Sequence, residues 1–558
     1  MKSLLLGLTS LLLLHPVGGA MAQSPAPPEP LLPGITIRAV ATAGEGAVRI
    51  ARHPVTNDLY FMRMDGRIFK ISPPFNQDVL LLIQSAAEHG MASPRGMAFG
   101  PDGALYLVGN HSEGDNNVAT IIKGVESTAT TPPVWTWTTV ARTAPYPLSN
   151  RNVDHLYSAI TVSPDGRYLF INAGSRTDHG EVQSNDGKFP GVREVPLTSA
   201  IIRVPADARD LVLPNDEAAL KSGGYLYADG TRNTFDLAFS PEGELFGTEN
   251  SGDRDDNEEL NWIREGNHYG FPWRMGTNNT PQRYPGYDPA KDTLVNKSSY
   301  GYTNGFFHDD PSYPAPPSGV TFTDPLNNTG PDAINYRDSA TGDLDTPPQG
   351  RPLATFTSHR SPLGLVFDPG DTFPGEFKGS GFVMSWTEGT SASNDLLTRM
   401  YDPGQDMLQI TLTKIEDRYE ITSRRVVRSF SQPIDAEIVG TKVYVLEFGG
   451  EHKIWEVDFS AVGSVPLGIS AGATLSKPYP NPSSGVSQLA LSVPRTGHIR
   501  AEVRDMLGNR IATLHDGIVA AGETRWLTFD GSSLPNGMYI ITAQGENIHL
   551  SEEVMVVR

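Results

Sequence analysis

The chain has 558 residues, enough for two to four domains of ordinary size. Its formal net charge of -20 makes nucleic acid and anionic membrane surfaces poor partners, because both require a basic surface. It contains no cysteine, which excludes disulfides, thiolate metal sites and a cysteine nucleophile.

The N-terminus has the pattern of a secretory signal peptide. Lys2 is followed by an apolar run through Leu14 and then by small residues that end at Ala22. Because the run is too short to span a bilayer comfortably, we prefer a cleaved signal over residues 1–22 to a membrane anchor. No later segment has the length of an apolar membrane helix, so we expect no membrane span in the mature chain.

A short unit recurs between residues 35 and 459. Each copy has a tight turn on Asp-Gly or Glu-Gly, followed by an apolar strand that contains aromatic residues. The copies begin with PDGALYLV at Pro101, PDGRYLFI at Pro164 and PEGELFGT at Pro241, with variants from Thr56, Gly440 and Phe356. Six units at this spacing favour an all-β chain with a six-bladed β-propeller over an ordinary β-sandwich.

Composition divides the rest of the chain. Residues 23–34 and 460–473 are predicted linkers, and residues 474–558 have period-two runs that indicate a small β-sandwich. Residues 276–350 are rich in Asn, Pro, Asp and Gly and contain scattered aromatics, which argues against a wholly unfolded tract. We expect these residues to form long loops on one propeller face, where they select the substrate.

Two stretches carry polar side chains at the same offset from a blade turn. His155 lies nine residues before Pro164, and Arg232 lies nine residues before Pro241. In a propeller, equivalent offsets in adjacent blades project toward the same face. A histidine can accept a proton near neutral pH, and an arginine offers a permanent charge to an anionic or carbonyl-bearing ligand. A structural histidine and an arginine that only holds a turn are the simpler interpretations.

The stretch ENSGDRDDNEELNWIREGNHYGFPW, from Glu249, gathers carboxylates on one short loop. Because ionised carboxylates repel one another, such a loop is either solvated or holds a cation. Three of its residues have the one-three-five spacing of an EF-hand: Asp253, Asp255 and Asn257. Glu258 stands where an EF-hand requires glycine and Arg264 where it requires glutamate, so an EF-hand is excluded. A calcium site of carboxylates and backbone carbonyls in another geometry remains, beside the solvated loop.

The run GTRNTFDLAFSPEGELFGTENSGDRDDNEELNWIREGNHYGFPW resembles the soluble quinoprotein glucose and sorbosone dehydrogenases. HLYSAITVSPDG, SPLGLVFDPGDTFPGEFKGSGFV and SQPIDAEIVGTKVYVLEFGGEHKIWEV resemble other blades of that family in the same order. The resemblance spans residues 35–459. It implies a sugar dehydrogenase that oxidises the C1 hydroxyl of aldoses with pyrroloquinoline quinone (PQQ) and Ca²⁺, and that passes electrons to an external acceptor.

The resemblance also assigns roles to residues. His155 matches the base that takes the proton of the anomeric hydroxyl while hydride passes to the quinone, and Arg232 and calcium would stabilise the charge on the quinone oxygens. Arg232 and Asn233 match quinone contacts, as do Ser251 and Gly252, whose backbone carbonyls would also bind calcium beneath the cofactor. Glu259 and Tyr269 match calcium ligands of the family. The candidate calcium set is completed by the other carboxylates of the acidic loop: Asp253, Asp255, Asp256 and Glu258.

The chain departs from the family pattern at three places. Ala159 stands where the family often has an arginine. The aspartate that orients the family's histidine is replaced near Gly174-Ser175-Arg176, which leaves Asp154 or Asp178 to serve. The family's basic quinone contact in the fifth blade has no matching lysine, and only Arg399 is available there.

The C-terminal unit carries an export signal by resemblance. SKPYPNPSSG from Ser476, VRDMLGNRIATL from Val503 and LPNGMYIITA from Leu534 are similar to the type A sorting domain of the type IX secretion system of the Bacteroides lineage. With the N-terminal signal, this implies a secreted or cell-surface protein that engages the type IX machinery. A carbohydrate-binding sandwich is the alternative for this unit.

Two other functions compete with the dehydrogenase. One is a calcium-stabilised propeller that binds glycans or proteins without catalysis. The other is a metal-dependent hydrolase of the lactonase type. We prefer the dehydrogenase because a lactonase does not require the Arg-Asn pair and the histidine at matched offsets.

Overall fold

The computed structural model describes these residues: 27–75, 80–127, 129, 133–339, 342, 344–345, 355–389, 395–462, 473–493, 496–506, 509–521, 523–545 and 548–557. The chain forms two compact units, which meet in sequence between Phe459 and Ser460. The predicted signal peptide and most of the second predicted linker lie outside the described residues.

The described part of the first unit contains six sheets of three or more strands, numbered here by the chain order of the strand that is given first for each. Sheet 1 consists of Ala47–Arg52, Leu59–Arg63, Ile68–Ile71 and Leu81–Gln84. Sheet 2 consists of Pro94–Phe99, Leu105–Glu113, Asn116–Ser127, Val134–Thr143, Tyr146–Pro147 and Leu211–Leu213. Sheet 3 consists of Ile160–Val162, Tyr168–Ala173, Ala200–Pro205 and Leu226–Asp229.

Sheet 4 is built from consecutive strands, whereas sheets 5 and 6 include strands from distant parts of the chain. Sheet 4 consists of Thr234–Phe239, Leu245–Glu249 and Glu259–Ile263. Sheet 5 consists of Pro362–Phe367, Gly381–Ser385, Met407–Ile415, Arg418–Arg428, Asn327–Pro331 and Glu29–Pro30. Sheet 6 consists of Pro433–Val439, Lys442–Glu447, Lys453–Asp458 and Thr36–Thr42. Glu29–Pro30 lies within the segment that was expected to be a linker.

The first strands of the six sheets contact one another in cyclic order. Each first strand packs against the first strand of the next sheet, and Pro433–Val439 of sheet 6 packs against Ala47–Arg52 of sheet 1. Sheet 6 takes its outer strand from the N-terminal part of the unit, where Arg38 forms a bidentate ion pair with Glu456, at 2.7 and 2.6 Å. The two ends of the unit are therefore joined in one sheet.

Each of the six recurring sequence units lies in a different sheet. The three Pro-Asp/Glu-Gly turns connect the first and second strands of sheets 2, 3 and 4. Their glycines, Gly103, Gly166 and Gly243, have φ values of 81, 73 and 83°, which favour glycine over residues with a side chain. The same type of turn thus connects the two strands of three successive hairpins.

The remaining elements of the first unit are short. The segment 276–350, which was expected to form loops, contains the hairpin of Tyr336–Arg337 with Leu344–Asp345 and the strand Asn278–Asn279, which pairs with Arg274–Met275 just before the segment. The helices are Ala86–His89, Glu217–Ser222, Tyr300–Thr303 and Asp395–Thr398, with 3-10 turns at Pro281–Arg283 and Gly375–Phe377. Within the described ranges, no helix has the length and apolar character needed to cross a membrane.

The second unit has two antiparallel sheets. One consists of Thr474–Leu475, Val486–Ser492 and Thr524–Asp530, and the other of Gly497–Asp505, Arg510–Val519, Gly537–Gly545 and Ile548–Val556. Alternate residues of both sheets pack into one buried cluster that includes Leu489, Val503, Leu527 and Ile541. This unit therefore has its own hydrophobic core.

Candidate functional site

His155 and Arg232 come together where the first strands of sheets 3 and 4 begin. Arg232 lies two residues before Thr234–Phe239, and His155 lies five residues before Ile160–Val162. Ser175 joins them through its backbone, because its carbonyl accepts the N–H of His155 at 2.9 Å and its N–H donates to the carbonyl of Arg232 at 2.7 Å. The matched offsets in the sequence thus correspond to one shared location.

The side chain of Ser175 also orients the imidazole of His155. The hydroxyl of Ser175 donates to the carbonyl of Thr177 at 2.9 Å, and Nδ1 of His155 lies 3.2 Å from the same oxygen. Because the hydroxyl hydrogen is already used, the oxygen accepts from Nδ1–H of a neutral imidazole. This tautomer leaves a lone pair on Nε2, which is the atom that can accept a proton.

The surroundings of His155 keep it neutral. Burial lowers its pKa to about 3, and the positive charge of Arg232 acts in the same direction, while Asp178 opposes both. The side chain is mostly buried but keeps a smaller exposed part. A neutral histidine that is partly accessible at physiological pH can act as a base.

Arg232 is buried, with 5% of its surface exposed. Its Nε donates to the carbonyl of Asp178 at 2.7 Å, its Nη2 donates to Oδ1 of Asp178 at 2.9 Å, and its Nη1 donates to the carbonyl of Asn250 at 3.2 Å. Its backbone N–H donates to the carboxylate of Glu249. The guanidinium is therefore fixed in place by the chain itself.

Asp178 is the charge partner of Arg232. Burial alone would raise the pKa of Asp178, but the hydrogen bond to His179 and the charge of Arg232 outweigh it and hold the pKa below its ordinary value. Nδ1 of His179 lies 2.9 Å from Oδ2 of Asp178. The backbone N–H of Asp253 also donates to Asp178, at 3.3 Å from Oδ1. Asp178 thus remains ionised and links Arg232 to the acidic loop.

The start of the acidic loop lies beside Arg232 and Asn233. The side-chain amide of Asn233 donates to Oδ1 of Asn250 at 3.0 Å. Ser251 Oγ donates to the Glu258 carboxylate at 3.4 Å. A Cβ added at Gly252 would lie 2.8 Å from Oδ2 of Asp178, so the loop backbone passes directly against that carboxylate.

Two carboxylates of the loop are matched by arginines rather than left unpaired. Asp255 accepts from Nε of Arg337 at 2.9 Å, lies 2.9 Å from Nε2 of His359, and is 3.6 Å from Nη2 of Arg399. Asp256 accepts from Nη1 of Arg254 at 2.6 Å. The crowding of charge seen in the sequence is thus partly relieved by an arginine of the loop itself and by cationic side chains from distant parts of the chain.

Four carboxyl groups of the loop, Glu249, Asp253, Glu258 and Glu259, have no arginine or lysine within ion-pair distance in the described parts of the chain. Burial raises the pKa of Glu258 to about 7. Burial and the neighbouring Glu249 raise the pKa of Glu259 well above its usual value, and burial raises that of Glu249 to about 7. Glu249 and Glu259 face each other across neighbouring strands, and both accept from Nδ2 of Asn261. Buried carboxyl groups in this state favour a proton or a bound cation.

Tyr269 points away from this acidic group. Its hydroxyl donates to the carbonyl of Trp262 at 2.5 Å and accepts from the backbone N–H of Arg264 at 2.8 Å, at the far end of the strand that begins with Glu259. Across the described residues, no three His, Asp or Glu side chains converge in a way that could hold a metal ion by themselves. Any cation here therefore needs backbone carbonyls as well.

Neither of the two aspartates expected to orient His155 forms a hydrogen bond with it among the described contacts. The carboxylate of Asp154 accepts the N–H groups of Ser149 and Asn150, both at 3.0 Å, and Asp178 pairs with Arg232. Ser175 has this position instead. The sequence did contain a signal for this role, because the segment Gly174-Ser175-Arg176 has a serine hydroxyl where the family has the orienting aspartate.

The comparisons with known families agree with the sequence motifs. Residues 95–332 match the family described as Glucose / Sorbosone dehydrogenase, and residues 477–557 match the Secretion system C-terminal sorting domain. Both resemblances predicted from the motifs are confirmed, the first over residues 95–332 of the predicted span 35–459. No curated protein matches the chain with statistical significance.

Several solved structures are similar over most of the first unit. The PQQ-bound aldose sugar dehydrogenase from Streptomyces coelicolor has 16% identity and a TM-score of 0.44, with 78% of this chain and 99% of that chain covered. The soluble aldose sugar dehydrogenase from Escherichia coli, in its apo form, has 13% identity and a TM-score of 0.46, with 76 and 99% covered. A gluconolactonase from Xanthomonas campestris has 10% identity and a TM-score of 0.34, with 80 and 98% covered. At these TM-scores the likenesses carry no argument about activity.

Proposed function

Because residues 95–332 form a glucose/sorbosone dehydrogenase domain, we propose that the protein is a secreted quinoprotein oxidoreductase. It oxidises the C1 hydroxyl of aldose sugars with PQQ and Ca²⁺ and passes the electrons to an external acceptor. The observation that carries the proposal is the arrangement of an oriented, neutral His155 beside the buried charge of Arg232, joined through Ser175.

The architecture that we propose for this enzyme is a six-bladed β-propeller. Its support is the cyclic contact of the six first strands and the strand Thr36–Thr42, which completes sheet 6. His155, Arg232 and the acidic loop would then lie at one end of the central channel. For the second unit we propose a β-sandwich, supported by its two sheets and their shared core.

The residues of the site fit the carbonyl end of an anionic quinone. Arg232 contributes a fixed positive charge, and the half-buried amide of Asn233 is a donor beside it. Gly252 presents backbone instead of a side chain, since a Cβ there would meet Asp178. We assign the quinone contacts to Arg232 and Asn233 and the backbone calcium contacts to Ser251 and Gly252. When bound, PQQ supplies the acceptor for the hydride of the sugar.

The chain's own chemistry in this reaction is a proton transfer. Nε2 of His155 accepts the proton of the anomeric hydroxyl, and the Ser175 hydroxyl holds the tautomer that makes this atom available. The positive charge of Arg232 lowers the energy of negative charge that develops nearby during the reaction. Because Asp178 holds the guanidinium, this charge does not have to be reoriented in each turnover.

For calcium, the support differs between residues of the predicted set. Glu258 and Glu259 lack an ionic partner among the described residues and have raised pKa values, so a divalent cation would relieve their repulsion. The side-chain oxygen of Asn261 is buried beside Glu259 without a hydrogen-bond donor. Asp255 and Asp256 are already paired, and we propose that they support the loop and do not bind the metal directly.

The C-terminal unit supports an extracellular destination. The sorting domain matched by residues 477–557 indicates export by the type IX machinery to the cell surface or the medium. The N-terminal signal peptide predicted for residues 1–22 would supply the first step of this route. We propose that the second unit serves as the address and takes no part in catalysis.

The test is reconstitution of the purified full chain with PQQ and Ca²⁺. Reduction of an artificial dye by a panel of aldoses should depend on both additions, and calorimetry should detect binding of PQQ. His155→Ala should bind PQQ with unchanged affinity and lose turnover. If calorimetry and absorbance detect no binding of PQQ to the wild-type chain, the dehydrogenase proposal is wrong.

A second candidate, a calcium-stabilised binding module without catalysis, has one observation in its favour. All three guanidinium nitrogens of Arg232 already donate to Asp178 or Asn250, which leaves little capacity for an anionic cofactor. Binding of calcium without PQQ in the same experiment would support this module. A lactonase is disfavoured because no convergent group of metal-binding side chains occurs in the part of the chain described by the structure.

A further inference from the structure

Five of the six sheets have a β-bulge near the beginning of their first strand. The pairing of the first with the second strand shifts there in sheets 1, 2, 4, 5 and 6. A bulge leaves a residue outside the regular pairing and changes the direction of its side chain, often next to a functional site. The residues that this pairing skips include Val48, Arg95, Phe235, Leu363 and Ile434.

The apolar members of this set meet between the sheets. Val48, Leu363 and Ile434 are buried in one hydrophobic cluster, and Phe235 packs against the same cluster. Sheets 1, 4, 5 and 6 therefore direct their bulged side chains to one place. Because Arg95 has the equivalent position in sheet 2, we expect its side chain to point to that place as well.

The guanidinium of Arg49 places Arg95 beside the candidate site. It donates to the carbonyl of Arg95 at 3.0 Å and to the carbonyls of Ser158 and Phe235 at 2.6 and 2.8 Å. Ser158 follows the histidine of the candidate site by three residues, and Phe235 follows its arginine by three. Arg95 is therefore a neighbour of both segments that carry the site.

Sheet 2 also approaches sheet 3 closely at this point. A Cβ added at Gly96 would lie 2.8 Å from the carbonyl oxygen of Ser158. Gly96 follows Arg95, and Ser158 precedes Ala159, the position at which an arginine was expected from the sequence. The cation that sheet 3 lacks at Ala159 is thus present on the neighbouring sheet, at Arg95.

The guanidinium of Arg95 has no counter-charge. In the described parts of the chain no carboxylate lies within ion-pair distance of it, and its one hydrogen bond runs from Nη1 to the carbonyl of Pro94, at 3.2 Å. Burial lowers its pKa. The side chain is nevertheless partly exposed, and Nε and Nη2, which have no partner among the described residues, are not enclosed by the protein. Both nitrogens are therefore accessible donors.

The chemistry around Arg95 favours a carboxylate as its ligand. Nε and Nη2 form the fork through which a guanidinium binds both oxygens of a carboxylate. The neighbouring bulged residues, Phe235 among them, are apolar, so water screens such a pair less than it would at an open surface. Since the chain has a net charge of -20 and still leaves this cation without a partner, we assign the negative charge to a ligand.

We propose that Arg95 binds a carboxylate of the quinone cofactor, an inference that rests on the proposed dehydrogenase. PQQ carries carboxylates that are ionised at neutral pH. The guanidinium nitrogens of Arg232 already donate to Asp178 and Asn250. Arg95 thus donates the hydrogen bonds to the cofactor for which Arg232 has little capacity left.

The test is calorimetric titration of PQQ, with Ca²⁺ present throughout, into the full chain and its variants. Arg95→Met should weaken the binding of PQQ at least tenfold, and Arg95→Lys should recover part of the loss because it keeps the charge without the fork. Arg67→Met is the matched control. It removes the same charge from an exposed turn, where Arg67 pairs with Asp65, and should bind PQQ like the wild type.

The melting temperature without PQQ separates a ligand contact from a structural role. Arg95→Met should not lower it, because no carboxylate of the described chain loses an ion pair. A lower melting temperature together with unchanged affinity for PQQ would make Arg95 a structural residue and overturn the inference.

The remaining outcomes distinguish this inference from the function on which it rests. Equal affinity of the wild type and Arg95→Met for PQQ would overturn the inference and leave the dehydrogenase standing. If that equal affinity came with a higher KM for sugar acids alone, the guanidinium would contact the substrate and not the cofactor. No binding of PQQ by the wild type would overturn the proposed dehydrogenase and this inference together.

Discussion

Ser175 Oγ lies 3.2 Å from Nδ1 of His155 and donates its own hydrogen to the carbonyl of Thr177. From this relationship we assign the proton of the neutral imidazole to Nδ1. The neutral hydroxyl of Ser175 thus occupies the orienting position in which the sequence had led us to expect an aspartate. The base is therefore oriented without a neighbouring negative charge in direct hydrogen-bond contact.

Ser175→Ala should lower kcat about 10- to 100-fold, the scale typical of groups that orient a functional histidine. The reason is that Nδ1–H would lose the hydroxyl oxygen that accepts its hydrogen bond. The tautomer in which Nε2 is unprotonated would then no longer be favoured. Steady-state dye reduction with a saturating aldose measures this change, and KM for the sugar should move little.

Asp154→Asn is the matched control for Ser175→Ala. Its carboxylate accepts two backbone N–H groups of a turn and does not bond to the imidazole, so turnover should remain close to that of the wild type. A loss of kcat in Asp154→Asn as large as that in Ser175→Ala would show that the aspartate has the orienting role after all.

The pH profile of kcat/KM should lack an acid limb near pH 6.5. An ordinary histidine is half protonated there, but burial and the charge of Arg232 lower the pKa of His155 to about 3. Because the base is active when deprotonated, activity should persist as the pH falls to about 5, provided that the protein stays folded and that Ca²⁺ and PQQ are kept saturating at each pH. Under these conditions, a profile that falls tenfold between pH 7.5 and 5.5 would contradict a base with this depressed pKa.

The positions of His155 and Arg232 could be predicted from the sequence because both are counted from turns of the same geometry. Gly166 and Gly243 occupy equivalent left-handed positions, so equal offsets lead to equivalent places in neighbouring sheets. The repeated turn also predicted which strands form the first hairpins of sheets 2, 3 and 4. Local turn chemistry thus carried most of what was predictable about the fold.

The partners of the acidic loop could not be predicted in this way. Arg337 meets Asp255 across 82 positions of sequence, and His359 meets it across 104. Neither contact belongs to a repeating pattern, because both arise from segments that fold back over the loop. The division of the predicted calcium set into paired and unpaired carboxylates is therefore visible only in three dimensions.

Asp178→Asn should destabilise the chain by about 3–5 kcal/mol at pH 7, because it leaves the buried charge of Arg232 without its partner. Urea unfolding monitored by tryptophan fluorescence measures the loss. The pKa of Asp178 is lower in the folded than in the unfolded state, so its contribution is present above about pH 4 and is lost as the pH falls further. The variant should therefore lose part of the acid sensitivity of the wild type.

Glu217→Gln is the comparison for this ion pair. Glu217 pairs with Lys221 on an exposed helix, and such surface pairs contribute about 0–1 kcal/mol. Equal effects of Asp178→Asn and Glu217→Gln on unfolding would mean that the Arg232–Asp178 pair does not stabilise the site.

Calcium should raise the melting temperature of the wild type, and Glu259→Gln should remove most of that increase. A cation at 100 times its Kd stabilises the folded state by about 2.7 kcal/mol, and Glu259 contributes a carboxylate whose ionisation is opposed by burial and by Glu249. Because burial raises the pKa of Glu258 to about 7, calcium binding competes with its protonation, and the calcium-induced shift should grow as the pH rises from 6 to 8. Differential scanning calorimetry with and without calcium at both pH values measures it.

Asp255→Asn should lower the melting temperature under all conditions yet keep the calcium increment, because Asp255 is bonded to Arg337 and His359. If Asp255→Asn abolishes the increment and Glu259→Gln preserves it, the assignment of paired and unpaired carboxylates to support and metal binding is reversed.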